Sequence, residues 1–243
     1  MPALHSADNQ MPRSHKRGTR LYRLFDKPEH AKAMMQGSLR FGTLALYRDF
    51  EEQEVRGDCK EGTNIYAPAG GPKIDKNNSG KFSTLEGFRM ESNVKAGEIM
   101  ALCLSKSLDD GMKRAFSAVA CVEILDVPKF CRRVEAVLQG ATLGGKPGCE
   151  RIGFAVQYYN PEHPPGAAYA VPEMIATSKM LSYRWQDEFR MLYSRTDALK
   201  FQNVSMKLVK GEPEKVVDTS QHHEILEVGS LGDIALLPDF RVE

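Results

Sequence analysis

Apolar and polar positions begin to show a period at Arg20. Residues 1–19 (MPALHSADNQMPRSHKRGT) show none, and are polar with two prolines, so they are expected to form a disordered arm. Arg13, Lys16, Arg17 and Arg20 make its end basic. RLYRLF then alternates, Leu21, Arg23 and Phe25 against Tyr22 and Leu24, which predicts a strand. Asp26 is placed to cap a helix, Pro28 falls in its first turn, and PEHAKAMMQ stops at Gly37; SLRFG at 38–42 predicts a second strand. Two loops follow, an acidic one at 49–62 and a Gly-, Pro- and Asn-rich one at 68–80.

Strands dominate from residue 81. FSTLEGFRM and RIGFAVQYY are expected strands, and the nearly continuous apolar runs at 99–104 and 115–125 predict buried central ones. Asp126 caps an expected helix whose face is Val127, Phe130, Val134, Val137 and Leu138, with Gly140 as its stop. The last third predicts a short helix within 172–180, a strand in the second half of WQDEFRMLYS, and strands in VSMKLVK, EILEVG and DIALLPDF. No repeat or heptad interrupts this order. The expectation is a single α+β domain over 20–243, with mostly antiparallel strands in two packed sheets and two or three short helices.

Composition narrows the class without naming a chemistry. The 243 residues are 42% hydrophobic and 27% charged, the ordinary balance of a soluble globular protein. A chain of this size buries roughly 70% of its unfolded surface, so no disulfide or metal staple is required. Lys and Arg number 33 against 32 Asp and Glu, and a net charge of +1 argues against a surface built wholly for polyanions. No run approaches the ~20 apolar residues of a membrane span, and the first residues lack a secretory apolar run, so no membrane partner and a cytoplasmic location are expected. Cys59, Cys103, Cys121, Cys131 and Cys149 are odd in number and form no C-x-x-C pair, which fits a reducing compartment and predicts no zinc site. His222 and His223 are adjacent, which places them on opposite sides of a strand and makes a poor chelate.

Phosphate-loop, dinucleotide-fingerprint, nucleophile-elbow and zincin motifs are all missing. Three places can carry chemistry. Arg23 lies in the first strand beside Tyr22, where a guanidinium needs an anion or an acid to offset its desolvation; a structural ion pair is the plainer explanation. Ser105-Lys106-Ser107 ends a buried strand, where hydroxyls either orient a ligand or simply build a turn. Gln186 and Glu188 share a face in extended geometry, and a carboxylate beside an amide can stabilise an oxocarbenium-like charge and position its acceptor. The plainer alternative is a Glu188–Arg190 ion pair on a solvent-facing strand.

Taken in order, Arg on the first strand, Ser-x-Ser after a buried strand and Gln-x-Glu near the last third resemble the arginine–serine–glutamate signature of ADP-ribosyltransferases. LYRLFDKPEHAKAMMQGSLRFGTLALYRDFEE, EIMALCLSKSLDD and WQDEFRMLY resemble, over about 20–195, the bacterial domain of unknown function 2971 family, discussed as a divergent relative of those transferases. Lys106 stands where the transferase motif has a small residue or Thr, and GMKRAFSA stands where the second family tends to show Trp and Tyr.

The resemblance implies an ADP-ribosyltransferase-like fold and an NAD-dependent transferase that cleaves the nicotinamide glycosidic bond. It places catalysis on Glu188 and Gln186, and NAD against Tyr22, Arg23, Arg40, Phe41, Ser105, Ser107 and Arg190, in a cleft between two sheets. The acceptor would be a protein, a nucleic acid or water, and the role that of a toxin or phage-defence effector, with a cognate inhibitor protein as a further partner. Two alternatives stand beside it. One is a non-catalytic ligand-recognition module of the same fold. The other is a metal-dependent nuclease using the acidic cluster Asp49, Glu51, Glu52, Asp58 and Glu61 around Mg²⁺.

Overall fold

The computed structural model describes residues 20–49, 60–75, 78–144, 152–164, 166, 169–211 and 222–240. The expected arm and most of the acidic run (Glu51, Glu52, Glu54 and Asp58) lie outside them. The opening follows the sequence pattern: β1 (Leu21–Phe25), α1 (Pro28–Gln36) and β2 (Ser38–Thr43). Gly37 ends α1 at φ +104°, with its N–H on the carbonyls of Ala33 and Met34. Lys27 rather than Asp26 occupies the N-cap position, without a side-chain cap.

α2 (Leu44–Asp49) leads to β3 (Thr63–Tyr66), β4 (Lys73–Ile74), β5 (Ser83–Thr84) and β6 (Phe88–Asn93). FSTLEGFRM is thus two strands, parted at Gly87 with φ +72°. β7 (Met100–Ser105) is the expected central strand. The run at 115–125 divides between α3 (Asp110–Ala115) and β8 (Ala120–Ile124), because the Asp109 side chain caps a helix at the Met112 N–H. α4 (Val127–Val137) is capped by Asp126 as its sequence indicates. After β9 (Thr142–Leu143), RIGFAVQYY breaks at Val156 into β10 (Gly153–Ala155) and β11 (Gln157–Tyr159), which join different sheets. α5 (Pro172–Ala176), β12 (Ser178–Met180), β13 (Glu188–Ser194), β14 (Ser205–Lys210), β15 (His223–Glu227) and β16 (Ala235–Leu236) complete the chain.

The fold is α+β with mostly antiparallel strands. Instead of two packed sheets, one nine-stranded sheet dominates, in the order β10-β13-β7-β1-β8-β16 with β2, β9 and β15 attached, and three smaller sheets stand beside it. The described residues hold five α-helical segments where two or three helices were expected. The surplus is single turns such as α2 and α5, too short to show a helical period. No described helix is long and apolar enough to cross a membrane.

The large sheet buries both faces. On one, Leu21, Phe41, Leu102, Val122, Phe189 and Met191 pack under Met34 of α1 and Phe130 and Val134 of α4. On the other, Ala101 and Leu192 pack against Leu44 and Ala45 of α2 and Ile175 and Ala176 of α5. β7 takes β13 along one edge. Its other edge is shared: β1 meets it at Tyr22↔Ser105, and β2 at Gly42↔Ala101 and Thr43↔Met100. Positions 102–104 on that edge therefore face a fork between β1 and β2, without a strand partner among the described residues.

Candidate functional site at the strand fork

Register sets the first row of the site. Glu123, Tyr22, Ser105 and Glu188 are successive cross-strand neighbours on β8, β1, β7 and β13, so their side chains share one face. One step along, Arg190 lies opposite Cys103. A cavity of about 180 Å³ opens here, lined by Tyr22, Arg23, Leu24, Arg40, Gly42, Leu46, Tyr47, Glu61, Cys103, Leu104, Ser105, Met112, Phe116, Lys179, Gln186 and Glu188.

Gln186 and Glu188 meet by a route other than the extended backbone the spacing suggested. A 3-10 helix over Leu181–Gln186 ends at Gln186, Asp187 turns at φ +40°, and β13 begins at Glu188. The Ser105 hydroxyl donates to the Gln186 carbonyl at 2.7 Å. The Lys106 N–H donates to the Asp187 carbonyl at 2.8 Å, and its ammonium pairs with the Asp187 carboxylate at 2.7 Å. Lys106, the departure from the transferase motif, thus clamps the turn between Gln186 and Glu188. The Glu188 N–H donates to the Tyr158 hydroxyl at 2.8 Å.

Three of the lining residues, Glu61, Lys179 and Glu188, form with Arg190 behind them a buried quartet of two carboxylates and two cations. The Arg190 guanidinium grips Glu61 with two bonds of 2.5 and 2.6 Å, donates to Glu188 Oε1 at 2.6 Å and reaches the Ala176 carbonyl at 2.7 Å. Lys179 Nζ spreads over Glu188 Oε2 at 2.8 Å, Gln186 Oε1 at 2.8 Å and Glu61 Oε1 at 3.2 Å. Arg48 of α2 donates to the Glu61 carbonyl at 2.5 Å, fixing that loop residue against the sheet. The anticipated Glu188–Arg190 ion pair is therefore real, but β13 is buried at all seven positions instead of facing solvent.

These contacts set the charge states of Glu188, Lys179 and Arg190. Burial alone would push the Glu188 carboxyl up; the charges of Arg190 and Lys179, with hydrogen bonds from Arg190 and Cys103, outweigh it and hold Glu188 well below the usual carboxylate range. Burial would push Lys179 and Arg190 down; Glu188 and Glu61 reverse that and hold both above their ordinary values. Burial, then the Glu188 charge, pushes the Cys103 thiol up to about 12, so it stays protonated. The quartet sums to zero.

Two guanidiniums stand outside that balance. Arg23 donates to the Cys103 carbonyl inside the fork and lies 6.0 Å from the Phe25 ring centroid. Arg40 is exposed at the cavity wall. Neither forms an ion pair among the described residues. With Glu61, Glu188, Lys179 and Arg190 cancelling, Arg23 and Arg40 bring two positive charges to the cavity that no described carboxylate pairs with, a field suited to a phosphate-bearing anion.

The fork thus gathers Tyr22, Arg23, Arg40, Ser105, Gln186 and Glu188. Three other candidate residues lie elsewhere. Phe41 points into the opposite face of the sheet, fully buried and edge-on to Tyr193 at 5.2 Å between ring centroids. Ser107 is outside the cavity lining, its N–H 3.4 Å from Ser105 Oγ. Arg190 lies beneath the lining, occupied by the two carboxylates. The sequence gives no signal for Lys179, since a lone lysine in ATSKML carries no period or motif, and it offers Glu61 only as a metal ligand or as one of the acids at 49–61 that could present the nucleophile. Among the described residues no group of three or more His, Cys, Asp or Glu is arranged to hold a metal. Compared with family models, with curated proteins and with solved structures, the chain matches none of them.

Proposed function

We propose that the fork cavity binds NAD and that the chain transfers ADP-ribose from it to a macromolecular acceptor. The observation that carries this reading is the pair of guanidiniums, Arg23 and Arg40, without an ion-pair partner among the described residues, in one cavity with Glu188. Two positive charges match the two negative charges of a pyrophosphate. Glu188, ionised across the neutral range, accepts the nicotinamide-ribose 2′-hydroxyl and faces the positive charge that develops as the glycosidic bond breaks. The bonding pair leaves with the nicotinamide nitrogen. The acceptor, oriented by Gln186 beside Glu188, attacks the freed anomeric carbon and releases its proton to solvent water. The cavity of about 180 Å³ is below the ~300–1,000 Å³ of whole-ligand sites, so it takes the phosphate and ribose part and leaves the rest of NAD outside. The order of Arg23, Ser105 and Glu188, which resembles the arginine–serine–glutamate signature, agrees with this reading, and a cytoplasmic effector role is proposed along with it.

A second reading, binding without turnover, is favoured by one observation. Lys179 and Arg190 already occupy the two Glu188 oxygens at 2.8 and 2.6 Å. The nuclease alternative rests mostly on acidic residues outside the described ones, and Glu61 is engaged by Arg190 and Lys179.

A thermal-shift panel with NAD, ADP-ribose, Mg²⁺ and Mn²⁺, run beside an assay for released nicotinamide, separates the three. Ligand at a hundred times its Kd adds about 2.7 kcal/mol, which for a chain of this size raises Tm by roughly 5–10 °C. Transfer predicts that shift with NAD and ADP-ribose, together with nicotinamide release. A shift without release selects the binding module. A shift with the metal ions alone sinks the NAD reading.

A further inference from the structure

The cavity is too small for a whole dinucleotide, so a bound ligand must continue past its rim. Phe116, which follows α3, lines the cavity. Trp185 packs beside it, with ring centroids 5.6 Å apart and planes inclined at 41°. Trp185 keeps 41% of its surface exposed and is the only tryptophan of the chain. Its neighbour Gln186 is buried in the cavity wall. The 3-10 geometry produces this split, because consecutive side chains there stand about 120° apart, sending one inward and the next outward. A partly exposed indole flanked by two cavity-wall residues, Phe116 and Gln186, is within reach of a ligand that continues past the rim.

We infer that Trp185, backed by Phe116, is a stacking platform for the planar heteroaromatic ring of the ligand. The inference rests on the reading that the cavity takes the phosphate and ribose of a nucleotide. Arg23 and Arg40 hold the anion, and the ring lies on the indole outside the fork. Stacking tolerates any flat π-face, so the platform selects for the presence of a ring and leaves its identity to other contacts.

Trp185 is also its own reporter, since no other tryptophan contributes to the emission. The full-length chain is titrated, with fluorescence and calorimetry in parallel, against ADP-ribose (adenine only), nicotinamide mononucleotide (nicotinamide only), and the ringless ribose 5-phosphate and inorganic pyrophosphate. The platform predicts that at least one ringed ligand binds with a change in Trp185 emission, and which one responds identifies the ring. Ringless ligands bind with a smaller change. Trp185→Ala weakens the responding ligand by on the order of tenfold and leaves pyrophosphate unaffected, while Trp185→Phe restores most of the loss. A ringed ligand that binds by calorimetry with unchanged emission and equal affinity for Trp185→Ala overturns the platform and leaves the cavity reading standing. Absence of heat with all four ligands removes both.

Discussion

Replacing Lys179 with methionine tests the buried quartet on which the site is built. Lys179 makes its three contacts at 2.8, 2.8 and 3.2 Å with only 5% of its side chain exposed. Glu61 and Glu188 are comparably closed, at 1% and 6%. Methionine is of similar length and supplies no charge, so Arg190 alone would face two carboxylates and one buried negative charge would be uncompensated. Removing one partner of a buried ion pair costs about 3–5 kcal/mol. For a domain of this size each kcal/mol moves Tm by about 2–4 °C, so Lys179→Met should melt roughly 6–20 °C below the parent. Adding Glu61→Gln restores neutrality, since Arg190 then balances Glu188 and the new amide oxygen still accepts from it. The double variant should recover about 1–3 kcal/mol relative to the sum of the two single losses. Urea denaturation followed by far-UV circular dichroism, with unchanged m, reads both. The quartet's stabilising contribution also has a pH window. Glu188 is held low, so its share is present above the unfolded carboxyl pKa of about 4.3 and disappears as pH falls through the lower folded value. Lys179 is held high, so its share is full below about 10.4 and disappears as pH rises through the higher folded value. Between about pH 5 and pH 10 the parent's quartet should therefore add no pH dependence, whereas Lys179→Met, with a buried carboxylate left unpaired and its pKa raised, should close part of the gap as pH falls. A single variant within about 0.5 kcal/mol of the parent, or strict additivity in the double variant, refutes the charge-balance reasoning.

Three further outcomes follow from other parts of the site and fold. Glu188→Gln should abolish nicotinamide release, and it should also lower Tm because the quartet is left with an excess positive charge; activity compared at equal folded fraction distinguishes the two effects. Asp187 turns at φ +40°, so Asp187→Val should cost about 1–2 kcal/mol in urea denaturation, while Asp187→Gly, which tolerates that backbone, should cost less despite losing the Lys106 pair. Gly37→Ala should be destabilised by more than the ~1 kcal/mol typical of a strained glycine site, because its Cβ would lie 2.2 Å from the Gly229 carbonyl oxygen; a wild-type Tm for that variant contradicts the packing.

Much of the scaffold was legible because its signals are local. Period-2 runs, Gly37 and Asp126 marked β1, α1, β2 and the start of α4, which ends at Val137, short of Gly140, with Val137 exposed. The single turns α2 and α5 carried no period, and the break at Val156 is decided by which sheet each half joins. At the site, the sequence named six residues that share the fork although they come from four strands and a 3-10 turn. It misplaced Phe41, because alternation alone does not say which face of β2 meets the core. It gave no hint of Lys179, whose partners Glu61 and Glu188 are distant in sequence or separated from it by a turn. Long-range charge balance of that kind has no local pattern to read.

The most direct test of the central assignment is a calorimetric titration of NAD into the parent and Arg40→Gln, each at low and high salt. Arg40 is exposed and makes no ion pair among the described residues, so its loss should leave the melting temperature unchanged. The assignment predicts saturable NAD binding by the parent, weaker at high salt, and about tenfold or greater loss of affinity in Arg40→Gln at low salt. Equal affinity in the two proteins, or no NAD binding by the folded parent, contradicts it.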